Sequence, residues 1–233
     1  MEIMSDNKLE KVLLIGAGGD IGKEIQYQLE DSEYEVICTT KSELDLSNDS
    51  SISKFLSGED ISFNHLVLAA AINNPKDFLK TNENELNEAI KINFLSYLAL
   101  LKSLIPQMIQ NKNRSITFIS SLFGFTGRKG RLPYVSSKHA MLGLVRTLAV
   151  ELGPLNIRVN AISPGFIDTK MTRRNLFQKE LSKLKKRIPL SRLGNPEDVA
   201  QLTKFLISPK ASYITGVDII VDGGFLAGGF YEN

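Results

Sequence analysis

The sequence predicts a single α/β domain, a doubly wound parallel sheet of six to seven strands with helices on both faces. Three observations carry that expectation. Short runs rich in Val and Ile alternate with stretches of helical spacing along the chain. The runs are nearly continuous in apolar residues, as strands are when both faces of a sheet are covered. No linker, repeat or low-complexity tract divides the 233 residues, a length common for one such domain.

The elements follow in order. K-V-L-L-I (11–15) reads as the first strand and 21–30 as the first helix. Y-E-V-I-C (34–38) is the second strand. L-D-L (44–46) follows almost at once, and a crossover between parallel strands needs about a dozen residues, so any strand there is short or poorly formed. A helix at 51–57 leads to H-L-V-L-A (65–69), and a long one at 84–110 to S-I-T-F-I-S (115–120). The helix 135–152 precedes I-R-V-N-A-I (157–162); helices 173–187 and 196–207 precede V-D-I-I-V (217–221). Right-handed crossovers then place helices on both faces.

Composition narrows the function. Twenty-eight basic residues against 26 acidic ones give no global case for nucleic acid or membrane. The single Cys38 forms no internal disulfide, which suits a reducing compartment. The N-terminal residues are polar and lack the apolar core of a signal peptide. The most apolar stretch, S-Y-L-A-L-L-K-S-L-I-P, is broken by Lys102 and Pro106. A cytoplasmic protein is expected. His65 and His139 are the only histidines and lack ligand spacing, so no metal is expected; His139 reads as a packing residue.

Between the first strand and helix lies I-G-A-G-G-D-I-G-K-E-I, residues 15–25. Four glycines in seven residues at such a turn point to a dinucleotide. Gly16, Gly19 and Gly22, with Asp20 and Ile21, would let backbone amides and a helix N-terminus approach a pyrophosphate. The second strand ends C-T-T-K-S. An acid at that tip would hold ribose hydroxyls, whereas Thr40 and Lys41 suit a 2′-phosphate. NADP is therefore the expected cofactor and NAD the alternative, with Glu43 close by.

In Y-V-S-S-K, Tyr134 and Lys138 stand i and i+4 on one helix face. A phenol titrates near pH 10, and an adjacent cation lowers that value by about 1–3 units. Such a phenol can exchange a proton near neutrality. S-I-T-F-I-S-S-L delivers Ser120 and Ser121 at a strand end, where ligands bind in open α/β sheets.

With these motifs in place, the chain resembles the short-chain dehydrogenase/reductase family over nearly its whole length, with its Rossmann fold. The Y-x-x-x-K is Tyr134 and Lys138, with Ser121 thirteen residues earlier and Asn93 in K-I-N-F. N-A-I-S-P-G-F-I-D-T carries Pro164, Gly165, Ile167 and Thr169; the tail R-I-P-L-S-R-L-G-N-P-E-D-V-A and Y-I-T-G-V-D-I-I-V-D-G-G is also similar. The resemblance implies that Tyr134 exchanges a proton with the substrate oxygen while Lys138 lowers the phenol's pKa and binds the nicotinamide ribose. It implies that Ser121 hydrogen-bonds the carbonyl and that Asn93 holds a water linking Lys138 to a proton relay. Pro164, Gly165, Ile167 and Thr169 would line the nicotinamide end, and Asp45 and Leu46 the adenine.

Three departures stand out. Ile15 replaces a Thr, and Asp20 replaces the middle Gly of the loop; Asp is among the few side chains that tolerate a left-handed backbone. The family's N-N-A-G is L-A-A-A, Leu68 to Ala71; Ala70 and Ala71 still allow adenosine to pack, but other groups must replace the lost Asn hydrogen bonds.

Residues 171–190 occupy the family's substrate-lid position. Phe177, Leu181, Leu184 and Ile188 recur at helical spacing, opposite Arg173, Arg174, Lys179, Lys183, Lys185 and Lys186. The basic face, extended by R-K-G-R (128–131), suits solvent or an acidic partner. Among subfamilies the chain is most similar to bacterial 3-oxoacyl-acyl-carrier-protein reductases, which implies NADPH, an acidic acyl carrier protein and a homotetramer or homodimer. A dehydrogenase of sugars, polyols or other small alcohols is the second reading, since fold and motif are common to both. A non-catalytic dinucleotide-binding regulator is the third, and it has no need of all four of Asn93, Ser121, Tyr134 and Lys138.

Overall fold

Alternation along β1 (Glu10–Ile15) divides the core in two. Val12 and Leu14 face one side of the sheet, Leu13 and Ile15 the other, and all four are fully buried. The computed structural model describes residues 9–32, 34–58, 62–176 and 178–229. Within them β2 (Tyr34–Thr39), β3 (His65–Leu68), β4 (Arg114–Ile119), β5 (Ile157–Pro164) and β6 (Asp218–Val221) join β1. The sheet is all-parallel and six-stranded, in the order β2-β1-β3-β4-β5-β6. The segment 44–46 forms no strand, because so few residues cannot carry the chain back parallel to β2. Leu44 and Leu46 are buried there all the same.

Helices α1 (Asp20–Glu30) and α8 (Pro196–Ile207) cover the Val12 face through Ile25, Leu29, Val199 and Leu206. The Leu13 face lies under α2 (Asp49–Leu56), α4 (Ser96–Met108) and α5 (Leu132–Leu152). A π turn at Lys91–Leu95 joins α3 (Glu83–Ile90) to α4, so 83–108 is continuously helical. Among the described residues it is the one helix long and apolar enough to cross a membrane, with mean hydropathy 1.3. Tyr97, Leu100, Leu104 and Met108 on it are buried against the sheet, as in a core helix.

The helix expected at 173–187 is two: α6 (Lys170–Asn175) and α7 (Gln178–Arg187). Thr169 starts α6 by accepting from the Thr172 amide, and Leu176 ends it in an extended conformation, φ −140°. Leu176, Leu184 and Ile188 pack with Phe166, Leu193 and Phe225 into a third apolar cluster. Phe177 lies outside the described residues.

The chain runs from β1 outward to β2 and then back across to β3. That reversal leaves a crevice beyond the carboxyl ends of β1 and β3, where open α/β sheets bind ligands.

Candidate active site

A cleft of about 600 Å³ occupies this crevice. It brings together every catalytic and cofactor residue expected from the sequence except Asn93. Gly16, Gly19, Asp20, Ile21 and Gly22 line it, as do Thr40, Lys41, Asp45 and Leu46. Ala70 lies against Gly16, and Ala71, Ser121, Tyr134, Lys138, Pro164, Gly165, Ile167 and Thr169 complete the lining.

The glycine loop fits a dinucleotide, for reasons that are partly internal. Gly16 has φ +97°, and a Cβ there would meet the Ala70 nitrogen at 2.5 Å. A Cβ on Gly22 would lie 2.2 Å from the Gly16 oxygen, so helix and loop could not close together. Gly19 caps α1 without any side-chain hydrogen bond, which leaves the helix N-terminus open to an anion. Asp20 does not oppose that anion: its carboxylate accepts from the Lys170 amide, first residue of α6. The missing Asn hydrogen bonds are replaced by two other side chains. Tyr97 donates to the Ala70 carbonyl, and Asn93 accepts from the Ile72 amide at 2.8 Å and donates to its carbonyl at 3.0 Å. Asn93 also donates to the Ser137 hydroxyl, at 3.1 Å. Its side chain is therefore a clamp behind the cleft.

At the tip of β2 the structure differs from expectation. Glu43 folds back and accepts from both the amide and the hydroxyl of Thr40. Lys41 is 80% exposed and lies 3.7 Å from Asp45. The Thr40 donors offered to a 2′-phosphate are thus engaged by a carboxylate that the Thr40 hydroxyl holds below its usual range.

The Ser121 hydroxyl is close enough to Tyr134 to pull its phenol's pKa down. The Lys138 ammonium lies 5.6 Å from the Tyr134 ring centroid and donates to the Ile119 carbonyl at 2.8 Å. Burial pushes the phenol up, against the Ser121 hydroxyl and the charge of Arg131, which pull it down. Burial also weakens the charge of Lys138 itself, which is 1% exposed and pushed down to about 7. Asp218 opposes that drop. Its carboxylate accepts from Ser163 at 2.8 Å, has a second oxygen buried without a partner, and is itself pushed up to about 6 by burial.

The sign of the Asp218 effect is testable. Lys138 loses its charge as pH rises through its depressed value, and Asp218 delays that loss. Asp218→Asn should move the alkaline limb of kcat/KM to lower pH, with a roughly threefold to tenfold loss at pH 8 and little change at pH 6. A uniform loss at every pH would point to a purely structural carboxylate.

Arg128 and Arg131 turn into the cleft instead of extending a surface basic patch. Arg131 is 6% exposed. Its position three residues ahead of Tyr134, at the start of α5, was the available signal. Arg173 pairs with Asp168 at 2.7 Å, leaving Arg174, Lys183, Lys185 and Lys186 as the exposed basic face. Of the expected lid, Met171, Thr172, Asn175 and Leu176 line the cleft, while Leu184 and Ile188 pack in the apolar cluster. His65 is buried, 2.8 Å from the Ser115 hydroxyl. His139 is exposed on α5 and bonds the Val135 carbonyl, so it is not a packing residue. Among the described residues no cluster of His, Cys, Asp or Glu could hold a metal.

Residues 17–226 match the family model described as enoyl-(acyl carrier protein) reductase. The 3-oxoacyl-[acyl-carrier-protein] reductase FabG of Thermotoga maritima is 39% identical over 161 residues, 69% of this chain and 65% of that one. Its counterpart from Buchnera aphidicola subsp. Schizaphis graminum is 35% identical and covers 93% of this chain and 98% of its own. This chain belongs to the short-chain dehydrogenase/reductase family. Two solved structures place it further. The ligand-free aldohexose dehydrogenase of Thermoplasma acidophilum superposes with a TM-score of 0.88 at 30% identity, over 98% of both chains. The 3-ketoacyl-(acyl-carrier-protein) reductase of Brucella melitensis, complexed with NADH, gives 0.83 at 25% identity, over 94% of this chain and 99% of that one. As a short-chain dehydrogenase/reductase the protein is an oxidoreductase, and its structural neighbours bind NAD(P)(H).

Proposed function

We propose that this enzyme reduces a carbonyl to a secondary alcohol with NADPH, and that its substrate is a 3-oxoacyl thioester on an acyl carrier protein. The observation that carries the reaction is the convergence of Ser121, Tyr134 and Lys138 in one nucleotide-sized cleft. When bound, the nicotinamide supplies the hydride. The hydroxyls of Ser121 and Tyr134 hold the carbonyl oxygen from two sides, and Tyr134 gives it a proton. Lys138 holds the nicotinamide ribose, and Asn93 fixes the strand-end segment and α5 behind it. The 3-oxoacyl reductase relatives support the carrier thioester, and the exposed Arg174, Lys183, Lys185 and Lys186 suit an acidic carrier.

Lys41 is the cation proposed to meet the 2′-phosphate of NADPH, which requires Glu43 to leave Thr40. Lys41→Ala should raise the Kd for NADPH about tenfold and that for NADH hardly at all. Glu43→Gln should shift the ratio the other way. Equal losses for both nucleotides in a fluorescence titration would remove the phosphate assignment.

Turnover of a short 3-oxoacyl thioester with NADPH and NADH side by side tests the reaction, the cofactor and the substrate class. No oxidation of nucleotide with the thioester, but reduction of nucleotide with a sugar or polyol, would favour the second reading. That reading, an NAD(P)-dependent dehydrogenase of a small alcohol, is supported by the polar Asn73 and Asn175 at the substrate end and by the aldohexose dehydrogenase likeness. The same proposal places the enzyme in the cytoplasm as a homodimer or homotetramer. Exposed Leu95 beside α4 and Val150 on α5 supply apolar surface for such an assembly.

A further inference from the structure

The cleft holds a second buried cation besides Lys138. Arg131 is 6% exposed, and its guanidinium donates to Asn73 Oδ1 at 3.1 Å and to the Asn175 carbonyl at 3.4 Å. Both acceptors are neutral. Asn175 donates in turn to the Asn73 carbonyl at 3.0 Å, so the acceptors are themselves held in place. Among the described residues Arg131 forms no ion pair. A guanidinium has five N–H donors in a rigid fork suited to an oxyanion. Burying one against neutral groups costs free energy that a bound anion would recover.

Arg128 stands at the same mouth. Its guanidinium lies 5.6 Å from the Phe123 ring centroid and 5.3 Å from that of Phe166, and Phe123 meets Tyr134 edge-on at 6.5 Å. Two cations therefore flank the pocket that the phenol enters, and the Arg131 charge is close enough to pull the phenol's pKa down. Burial pushes Arg131 itself down to about 10. The charge of Glu180 on α7 acts on both arginines, and an incoming anion must compete with it.

We propose that Arg131, with Arg128 beside it, forms an oxyanion-holding subsite, so that the substrate carries an anionic group near the carbonyl that is reduced. This rests on the carbonyl-reductase reading above and deepens it. The anion is a carboxylate on a small free acid or a phosphate on a thioester arm.

The test compares three 3-oxobutanoyl substrates with NADPH: the free acid, the coenzyme A thioester, and the neutral N-acetylcysteamine thioester. In Arg131→Gln the KM of at least one anionic substrate should rise tenfold or more relative to the neutral one, with kcat less affected. Which anionic substrate responds identifies the source. Arg131→Lys should recover part of the loss, and Arg128→Gln, at a less buried position, should show the same bias more weakly. Binding of 3-hydroxybutanoate against its neutral amide, read from the fluorescence of enzyme-bound NADPH, gives the same comparison without turnover. A bias in binding with no turnover of any carbonyl would sink the reaction reading and keep the subsite. Turnover with equal changes for neutral and anionic substrates in all three variants would sink the subsite and keep the reaction.

Discussion

Tyr134→Phe should lower kcat about 10³-fold while the protein stays folded and binds nucleotide almost as before. The loss follows from what the hydroxyl does rather than from the space it fills. The ring meets Phe123 edge-on and lies under the Lys138 ammonium, and phenylalanine keeps both contacts. What disappears is the hydroxyl beside Ser121, and with it the proton that the substrate oxygen needs. General acid catalysis contributes typically 10²–10⁴-fold, and no neighbouring acid can take over, since Lys138 is turned to the Ile119 carbonyl. Burial holds the phenol above its ordinary value, so it remains protonated, and able to donate, through the neutral range. Single-turnover kinetics with NADPH, with thermal denaturation as the control for folding, check this. Turnover within a few-fold of wild type would rule out Tyr134 as the proton donor.

Gly16→Val should lower stability by roughly 2–5 kcal/mol and abolish nucleotide binding. The backbone at Gly16 has φ +97°, where a side chain costs about 1–2 kcal/mol. The added Cβ would also meet the Ala70 nitrogen at 2.5 Å, the Ala70 Cα at 2.8 Å and the Ala69 carbonyl carbon at 2.9 Å. All three are backbone atoms of the chain leaving β3, so none can rotate away, and overpacking adds about 1–3 kcal/mol. At roughly 2–4 °C per kcal/mol for a domain of this size, Tm should fall by about 5–20 °C. Gly143→Ala is the matched control. It lies in α5 with nothing within 4 Å of its would-be Cβ, and should raise stability by about 0.5–1 kcal/mol. A Gly16→Val protein that melts like wild type and still binds NADPH would show that the loop can relax.

Six strands were legible because each is a local apolar run; at 44–46 chain length showed only that a strand would be short or poorly formed, and none forms. Tyr134 and Lys138 were legible for the same kind of reason: i and i+4 share a helix face wherever the helix goes. Arg131 was read as a member of a basic tetrapeptide, because whether it faces solvent or the cleft depends on Asn73 and Asn175, 58 and 44 residues away. The partner of Asp20, the amide of Lys170, lies 150 residues on and is equally beyond local pattern.

The sequence by itself determined the sheet, the glycine turn and the relative placing of phenol and amine, since each depends on backbone geometry within a few residues. Only the tertiary structure decided which charges enter the cleft. Glu43 over Thr40, Asp218 toward Lys138 and Arg131 beside Tyr134 depend on how the chain turns back on itself and on burial, which sets the strength of a charge once its neighbours have displaced water.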